Sequence, residues 1–258
     1  MNYNFHTHTT RCRHAVGSDE DYVRCAIEAG IKYLGFSDHA PYRFPDGYEN
    51  SYRVQMCDGQ SYVDDLKALR EKYKGEIAIS IGFEMEYYPD YFDEMLRIAK
   101  DFGAEYLILG QHFLKSEHPN GIGAIGSTDD IAHLRLYVDE VIEAMNAGVF
   151  SYVAHPDLVC FTGDDGDYRA EIERLCIASK ELDIPLEINL AGVRYEKHYP
   201  DERFWRIAGE IGSPVTVGYD AHNSIDLLGK EQLKRAEDLI SKYRLNYIGM
   251  PRLVSISD

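Results

Sequence analysis

The chain has 258 residues, of which 45% are hydrophobic and 28% charged, and its 44 acidic residues against 27 Lys and Arg give a net charge of −17. A chain of this length can bury a full core as a single domain. The negative charge opposes binding to phosphate backbones and anionic membranes, which disfavours nucleic-acid and membrane partners unless cations in a site reverse the charge locally.

The five cysteines form no Cys-x-x-Cys pair, which is typical of reduced thiols rather than of a disulfide framework. The first residues lack the basic and apolar segments of a secretory signal, and no apolar run approaches the roughly 18 residues of a membrane span. We therefore expect one domain over residues 1–258, located in the cytoplasm.

Turn and cap signals divide the chain into alternating strands and helices. Short apolar segments predict strands at 3–5, 33–36, 77–83, 106–109, 152–154, 186–190 and 215–217. Apolar residues at helical spacing predict helices at 18–29, 61–73, 90–102, 128–147, 168–182, 201–211 and 230–243. Ser18 with Asp21 and Ser61 with Asp64 predict capping boxes, and Thr128 is the predicted cap of the longest helix.

The alternation of strands and helices predicts a parallel sheet with helices packed on it. Seven such units, each with polar residues after its strand, favour a barrel over an open sheet. In barrels the functional groups lie on the loops at the C-terminal ends of the strands. The loop 41–60 is long and rich in Tyr, Arg, Pro and Gly, as is typical of a loop that shapes a binding site.

Histidines are concentrated at the predicted strand ends. His6 and His8 follow the first strand and point the same way, because side chains alternate along a strand. Seven of the ten histidines fall at or just beyond a strand end: His6, His8, His14, His39, His112, His155 and His222. The other three are His133, which we place on an outward helix face, and His118 and His198, loop residues that could contact a substrate.

Imidazoles with a few carboxylates are the ligand set of borderline divalent ions such as Zn, Fe or Mn. Seven histidines together with Glu84 and Asp220 are too many ligands for one ion. We therefore expect a cluster of two or three ions with bridging carboxylates. Such clusters hold hydroxide at neutral pH and bind both oxygens of an in-line displacement.

The motifs stand in a characteristic order: His6-x-His8, His14, Asp38-His39, Glu84, Gln111-His112-Phe113, Ala154-His155-Pro156 and Asp220-Ala221-His222. This order resembles that of the polymerase and histidinol phosphatase (PHP) family across nearly the whole chain. The resemblance implies an α/β fold, a distorted (β/α)7 barrel of TIM-like type, with a trinuclear metal site at the C-terminal ends of its strands.

The resemblance also implies which residues bind each ion. The first ion would be held by His6, His8, Glu84 and Asp220, the second by His112 and His155 with Glu84 shared, and the third by His14, His39 and His222. No ligand position is vacant, so we expect an active member of the family. The residues do not choose among Zn, Fe and Mn.

Within the family the chain is most similar to the stand-alone histidinol-phosphate phosphatases of histidine biosynthesis. The motifs that carry this likeness are Gly-Gln-His-Phe and the run from Glu187-Ile188-Asn189 to Arg194 and Tyr199-Pro200. The resemblance implies hydrolysis of a small phosphate monoester, L-histidinol phosphate, in which a metal-bound hydroxide attacks phosphorus without a phospho-enzyme.

Several residues are candidates for contacts with this substrate. Arg194 is a candidate phosphate clamp, because a guanidinium binds phosphate oxygens in a bidentate manner. No second arginine follows the Ala-His-Pro motif, so a second cation would come from Arg43, Arg53 or Lys115. Asp220 or Asp38 could pass the proton to the leaving alkoxide, although Asp38 could equally orient His39. Candidate partners of the ammonium and imidazole groups are Glu86, Tyr42 and Tyr52.

Other functions use the same metal ligands. The PHP family also includes nucleases, nucleotide phosphatases and phosphotyrosine phosphatases, so nucleotides, short 5′-phosphorylated oligonucleotides and phosphotyrosine remain alternative substrates. The acidic surface disfavours long nucleic acids. A non-catalytic metal-binding protein is a further alternative, but structural metal sites are usually closed four-ligand cages.

Overall fold

The structure is a computed structural model, and it describes residues 1–256. Its α-helices are α1 (Asp19–Glu28), α2 (Gly59–Lys72), α3 (Phe92–Phe102), α4 (Ile131–Asn146), α5 (Asp165–Leu182), α6 (Leu190–Arg194), α7 (Glu202–Ile211) and α8 (Lys230–Tyr243). Short 3-10 helices occur at Thr10–Cys12 and Ser224–Leu228. None of the helices within residues 1–256 has the length and apolar character needed to cross a membrane.

The strands are β1 (Tyr3–Asn4), β2 (Tyr33–His39), β3 (Ala78–Met85), β4 (Tyr106–Leu109), β5 (Phe113–Leu114), β6 (Ile122–Gly123), β7 (Ser127–Thr128), β8 (Phe150–Val153), β9 (Cys160–Phe161), β10 (Leu186–Asn189), β11 (Pro214–Gly218) and β12 (Asn246–Tyr247). Eight of them form one parallel sheet in the order β1-β2-β3-β4-β8-β10-β11-β12. The pairs β5–β6 and β7–β9 lie outside this sheet, in the loops above its C-terminal end.

The sheet curls until the chain after β1 meets the chain after β11. The backbone N–H of His8 donates to the carbonyl oxygen of Ala221 at 3.0 Å, and the N–H of Ala221 donates to that of His6 at 3.2 Å. At its other end β11 pairs with β12 instead, through Pro214 and Val215. The predicted distorted barrel is therefore confirmed, with β12 as an additional short strand in what the sequence predicts to be a tail.

Four predicted helix starts were wrong. Helix α3 begins at Phe92, two residues after its predicted start. Helix α2 begins at Gly59, and Ser61 donates its hydroxyl to the carbonyl oxygen of Asp58 instead of forming a capping box. Helix α4 begins at Ile131 with Asp130 as its cap, because Thr128 belongs to β7. Helix α5 begins at Asp165, one turn before the predicted start, with Asp164 accepting its first N–H groups.

The capping box of α1 is present as predicted. The Ser18 side chain accepts from the N–H of Asp21, and the Asp21 carboxylate accepts from the N–H of Ser18. The hydrophobic core has two layers. The larger lies between the sheet and the helices, and a smaller one fills the interior of the barrel with Tyr3, Phe5, Tyr106, Ile108, Tyr152 and Ala154. This inner layer fills the barrel below the C-terminal ends of its strands.

Candidate metal centre

The structure brings the nine predicted ligand side chains together at the C-terminal end of the sheet. Eight of them line one cavity of about 440 Å³: His8, His14, His39, Glu84, His112, His155, Asp220 and His222. The ninth, His6, is fully buried directly beneath them. His39 is the last residue of β2 and Glu84 lies near the end of β3, whereas the other seven lie in loops that follow strands. Their assignment as metal ligands stays a prediction.

The His-x-His segment presents two ring nitrogens to a common point. His6 Nε2 lies 3.4 Å and His8 Nε2 3.1 Å from Asp220 Oδ1. The same nitrogens lie 3.6 Å from the two oxygens of Glu84. The alternation of side chains along the extended segment therefore aims both imidazoles between these two carboxylates.

Glu84 is the central carboxylate of the cluster. Its Oε1 lies 2.8 Å from His155 Nε2 and 3.6 Å from His112 Nε2, and its Oε2 lies 3.0 Å from His39 Nδ1. Burial raises the pKa of Glu84, but the charge of the surrounding imidazoles outweighs it and holds the pKa well below its usual range. A carboxylate that stays ionised in this position can bridge two cations.

The polar atoms of the cluster are short of partners. Six buried atoms of the nine candidates have no hydrogen bond: His6 Nε2, His8 Nε2, His39 Nδ1, Glu84 Oε2, His155 Nδ1 and Asp220 Oδ1. Buried polar atoms are nearly always paired, so a group of six in one place indicates a missing ligand. Imidazole nitrogens and carboxylate oxygens that converge on a point are the donor set of a borderline divalent cation. The residues therefore fit the predicted metal ions.

The ligands also group into close sets. His14, His39 and His222 have ligand atoms within 4.8 Å of one another, as do His6, His8 and Glu84. These sets match the third predicted ion and most of the first. The remaining sets are His39 with Glu84 and His112, His6 with His155 and Asp220, and His8 with Cys12 and His222. The division of His112 and His155 between ions therefore stays a prediction, although both contact the same oxygen of Glu84.

Buried carboxylates contact the Nδ1 atoms of three of the imidazoles. His6 Nδ1 lies 3.0 Å from both oxygens of Glu187, His8 Nδ1 lies 3.3 Å from Asp38, and His112 Nδ1 lies 3.1 Å from Glu86. Such contacts fix the ring orientation and direct Nε2 toward the centre. The sequence shows only that Glu187 and Glu86 lie in or just after a buried strand. It does not show that they orient the rings of His6 and His112.

Space for Glu187 depends on a glycine in the neighbouring strand. A Cβ atom at Gly218 would lie 1.7 Å from Glu187 Oε1, a distance that no side chain can adopt. The two residues are adjacent because β10 and β11 pair with Asn189 opposite Gly218. The carboxylate beneath His6 therefore requires glycine at the end of β11.

Asp38 lies behind the ring of His8 rather than beside the ring of His39. It is fully buried, its Oδ1 lies 3.3 Å from His8 Nδ1, and its Oδ2 accepts from the N–H of Thr9 at 3.0 Å. Since it does not line the cavity, it is not placed to pass a proton to a leaving group. It orients the ring of His8, whereas its contact with His39 is to the backbone N–H at 2.8 Å.

Arg194 is engaged outside the metal cavity. Its Nε lies 3.1 Å from Asp226 Oδ1, and its terminal nitrogens donate to the carbonyl oxygens of Tyr219 and Asp226. It is not among the residues that line the cavity. A role as phosphate clamp stays a prediction, and it would require this arginine to leave its ion pair with Asp226.

The other predicted substrate contacts also lie away from the cavity. Arg43 pairs with Glu49 at the surface, and Arg53 is buried between two carboxylates. Lys115 is exposed, and His198 Nε2 lies 2.8 Å from the carbonyl oxygen of Leu158. None of these four side chains lines the cavity, so their direct contact with substrate is not supported. Sequence position placed them in nearby loops but could not show their partners.

The cavity wall opposite the ligands is largely apolar. Side chains from the loops contribute Tyr52, Phe113, Ile125, Leu158 and Tyr199. Of the predicted partners of the leaving group, Tyr52 lines this wall, whereas the Tyr42 hydroxyl donates to Glu94 on α3, away from the site. Phe113 follows the Gln-His motif directly, so the motif marks both a ligand candidate and part of the wall.

Asp157 should make folding stability depend on pH. Its Oδ2 accepts from the backbone N–H of Asp201 and from Trp205 Nε1, and burial raises its pKa to about 7. The folded state therefore binds more protons than the unfolded state between about pH 4 and 7, and the stability contributed by protonated Asp157 is lost as the pH rises. Asp157→Asn cannot ionise and escapes this loss. The difference in free energy of unfolding, variant minus parent, should therefore increase by at least about 2 kcal/mol between pH 4.5 and pH 8.

Urea unfolding of both metal-free proteins at the two pH values measures this difference. A constant difference between the variant and the parent would show that Asp157 has an ordinary pKa.

The model of one protein family matches much of the chain. The PHP domain model aligns with residues 4–191, which contain seven of the nine ligand candidates. The chain belongs to the PHP family. The remaining two candidates, Asp220 and His222, lie beyond the matched segment but reach the same cavity through β11.

Curated relatives of this PHP protein cover most of its length. A probable histidinol-phosphatase of Deinococcus radiodurans is 27% identical over 84% of this chain and 85% of its own length. The histidinol-phosphatase of Bacillus subtilis is 25% identical over 86% of this chain and 94% of its own. The PHP chain thus spans nearly the full length of these relatives.

Solved structures share the fold of this PHP protein. A putative histidinol phosphatase of Listeria monocytogenes superposes with a TM-score of 0.71 at 22% identity, covering 90% of this chain and 99% of its own. A histidinol phosphate phosphatase of Lactococcus lactis, crystallised with zinc, L-histidinol and phosphate, also has a TM-score of 0.71, at 17% identity, covering 100% of this chain and 98% of its own. At these identities the likeness establishes the barrel architecture.

Proposed function

We propose that this protein is a metal-dependent phosphatase that hydrolyses a small phosphate monoester, with L-histidinol phosphate as its substrate. The observation that carries the proposal is the convergence of unpaired imidazole and carboxylate atoms beneath an open cavity. The choice of substrate draws support from the relatives of Deinococcus radiodurans and Bacillus subtilis, which are named as histidinol-phosphatases.

The proposed cofactor is a cluster of two or three divalent ions, Zn, Fe or Mn. Neutral imidazoles are the form that binds such ions, and burial lowers the pKa of His39 to about 3. Burial alone would also lower the pKa of His6, His8 and His112, but the neighbouring carboxylates raise it, so metal ions would compete with protons at these three positions. When bound, ions of this kind supply positive charge to phosphoryl oxygens and lower the pKa of water toward neutrality. They would also offset the charge of −17 at the one place where an anionic substrate must enter.

The chain's own residues orient the ligands and would pass on a proton. Glu187, Asp38 and Glu86 hold three imidazoles by their Nδ1 atoms, so the rings need not reorganise during the reaction. Asp220 lines the cavity and Asp38 does not, so Asp220 is the candidate that would pass a proton to the leaving alkoxide.

The apolar wall suits an organic leaving group. Tyr52, Phe113, Leu158 and Tyr199 can cover a flat ring such as an imidazole and exclude water from the reacting phosphate. Glu86 is not available for the substrate ammonium group, because its oxygens contact Arg53 and His112. A cavity of about 440 Å³ accommodates a small molecule rather than a long nucleic acid.

Steady-state phosphate release tests the proposed substrate. L-histidinol phosphate, p-nitrophenyl phosphate, a 5′-nucleotide and a phosphotyrosine peptide are compared after loading with Mn, Zn or Fe. We expect kcat/KM for histidinol phosphate to exceed the others by at least about 10²-fold and to fall within the usual range of roughly 10⁴–10⁸ M⁻¹s⁻¹. Equal, low values for all four would refute the substrate, and no release with any metal would refute the phosphatase.

A further inference from the structure

Arg53 is the only Lys or Arg within residues 1–256 whose side chain is buried, with 1% of its surface exposed. It comes from the long loop between β2 and α2, where sequence reasoning made it a candidate phosphate ligand. A buried guanidinium is costly to desolvate and persists only when its charge and donors are satisfied. Its partners therefore indicate its role.

All the contacts of Arg53 are within the protein. Its Nε and Nη2 contact both oxygens of Glu117 at 2.6–3.0 Å, and Nη2 lies 2.7 Å from Glu86 Oε2. Nη1 donates to the carbonyl oxygen of Ala40 at 3.3 Å, and Nη2 lies 3.2 Å from the Tyr88 hydroxyl. Each of its three nitrogens thus has a partner in the protein, and the buried side chain does not line the cavity where a substrate phosphate would lie.

Glu86 links Arg53 to the ligand candidate His112. While Glu86 Oε2 contacts Arg53, its Oε1 lies 3.1 Å from His112 Nδ1. His112 Nε2 then faces Glu84 at 3.6 Å. The carboxylate is thus held by a fixed cation on one side and holds an imidazole on the other.

The same arginine joins two segments of the cavity wall. Its neighbour Tyr52 lines the cavity and donates its hydroxyl to Glu117 Oε2 at 3.1 Å. Glu117 lies in the connection between β5 and β6, whose residue Phe113 lines the same wall and stacks on Tyr52 with ring centroids 5.9 Å apart. Loosening of this wall is therefore the competing explanation for any effect of Arg53.

We propose that Arg53 is a positioning residue that holds Glu86 against His112 and so fixes this imidazole for metal binding. Without the guanidinium, Glu86 can turn away from His112, and the ring loses the contact that directs its Nε2 to Glu84. The proposal rests on the proposed function only in requiring a metal at His112. It replaces the predicted contact of Arg53 with substrate.

Zinc affinity tests this role without reference to turnover. Zn²⁺ binding is measured by competition with a chromophoric chelator for the parent, Arg53→Lys, Glu86→Gln and the double variant. A lysine side chain in place of Arg53 cannot reproduce the fork that reaches both carboxylates. We expect each single variant to weaken one zinc ion by about 10–100-fold. Because Arg53 acts through Glu86, the double variant should bind no more weakly than Glu86→Gln alone.

Two controls separate positioning from loosening of the wall. Glu117→Gln disturbs the wall contacts but leaves Arg53 paired with Glu86, so its zinc affinity should stay within about threefold of the parent. Arg70→Lys alters a bidentate ion pair with Glu105 at 2.8 and 2.9 Å, near the other end of the sheet, and should have no effect. Equal losses in Glu117→Gln and Arg53→Lys would refute the proposal.

Should Arg53→Lys fail to fold, the double variant R53M/E117Q removes one charge of each sign and carries the same expectation. Parent-like zinc affinity in R53M/E117Q or in folded Arg53→Lys would overturn the positioning role. Phosphate release by the parent protein tests the proposed function separately. If the parent binds zinc but releases no phosphate from histidinol phosphate, the zinc affinities of the variants still test the role of Arg53.

Discussion

Glu84→Gln should lower kcat/KM for phosphate release by on the order of 10³-fold. Its carboxylate is the one group that approaches five imidazoles, those of His6, His8, His39, His112 and His155, at 2.8–3.6 Å. Glutamine keeps the shape of the side chain but removes its negative charge and replaces one oxygen by an NH2 group, which cannot bind a cation. At least one metal ion per chain should therefore be lost, as measured by elemental analysis alongside the kinetics.

Glu71→Gln is the matched control for this variant. Glu71 lies on the exposed surface of α2, with 70% of its side chain accessible, so the same chemical change there should leave metal content and kinetics unchanged. If Glu84→Gln kept its full metal content and more than about a tenth of the parent kcat/KM, a bridging role of Glu84 would be excluded.

Gly110→Ala should produce a loss of similar kind without altering any ligand. A Cβ atom at position 110 would lie 2.0 Å from Glu84 Oε1 and 2.5 Å from its Cδ, so the carboxylate must move out of its place. Since Glu84 is surrounded by imidazoles, no equivalent position is open to it. We expect kcat/KM to fall by at least about 10²-fold, with metal affinity reduced in parallel.

Gly123→Ala provides the comparison. Gly123 also lines the cavity, but an added Cβ atom there meets no heavy atom within 4 Å. Its kinetics should stay within about threefold of the parent, because no ligand has to move. Equal activity in the two alanine variants would mean that the position of Glu84 is not critical to the reaction.

The architecture and the gathering of ligand candidates could be predicted because both follow from local patterns. Apolar strands alternate with amphipathic helices, and parallel strands bring their C-terminal ends to one side of the sheet. Residues as distant in sequence as His6 and His222 thus had to meet there. The two-residue strand β12 escaped prediction, because Asn246 and Tyr247 carry no apolar alternation and pair only where β11 presents a free edge.

The roles of the charged residues could not be predicted in the same way. Whether an arginine binds phosphate or a carboxylate depends on which acid the fold places beside it, and sequence distance does not report this. Arg53 meets Glu117 across 64 positions, and Arg194 meets Asp226 across 32. Likewise, Glu187 reaches His6 only because β10 and the chain after β1 face the same interior.

The metal content of the protein tests the central claim most directly. Elemental analysis of the purified protein, and of the protein after chelation and reloading, is combined with circular dichroism and phosphate release from L-histidinol phosphate. We expect two or three divalent ions per chain, loss of activity on chelation with the fold retained, and recovery on reloading. Full phosphate release from protein that retains less than about a tenth of an ion per chain would contradict a metal-dependent mechanism.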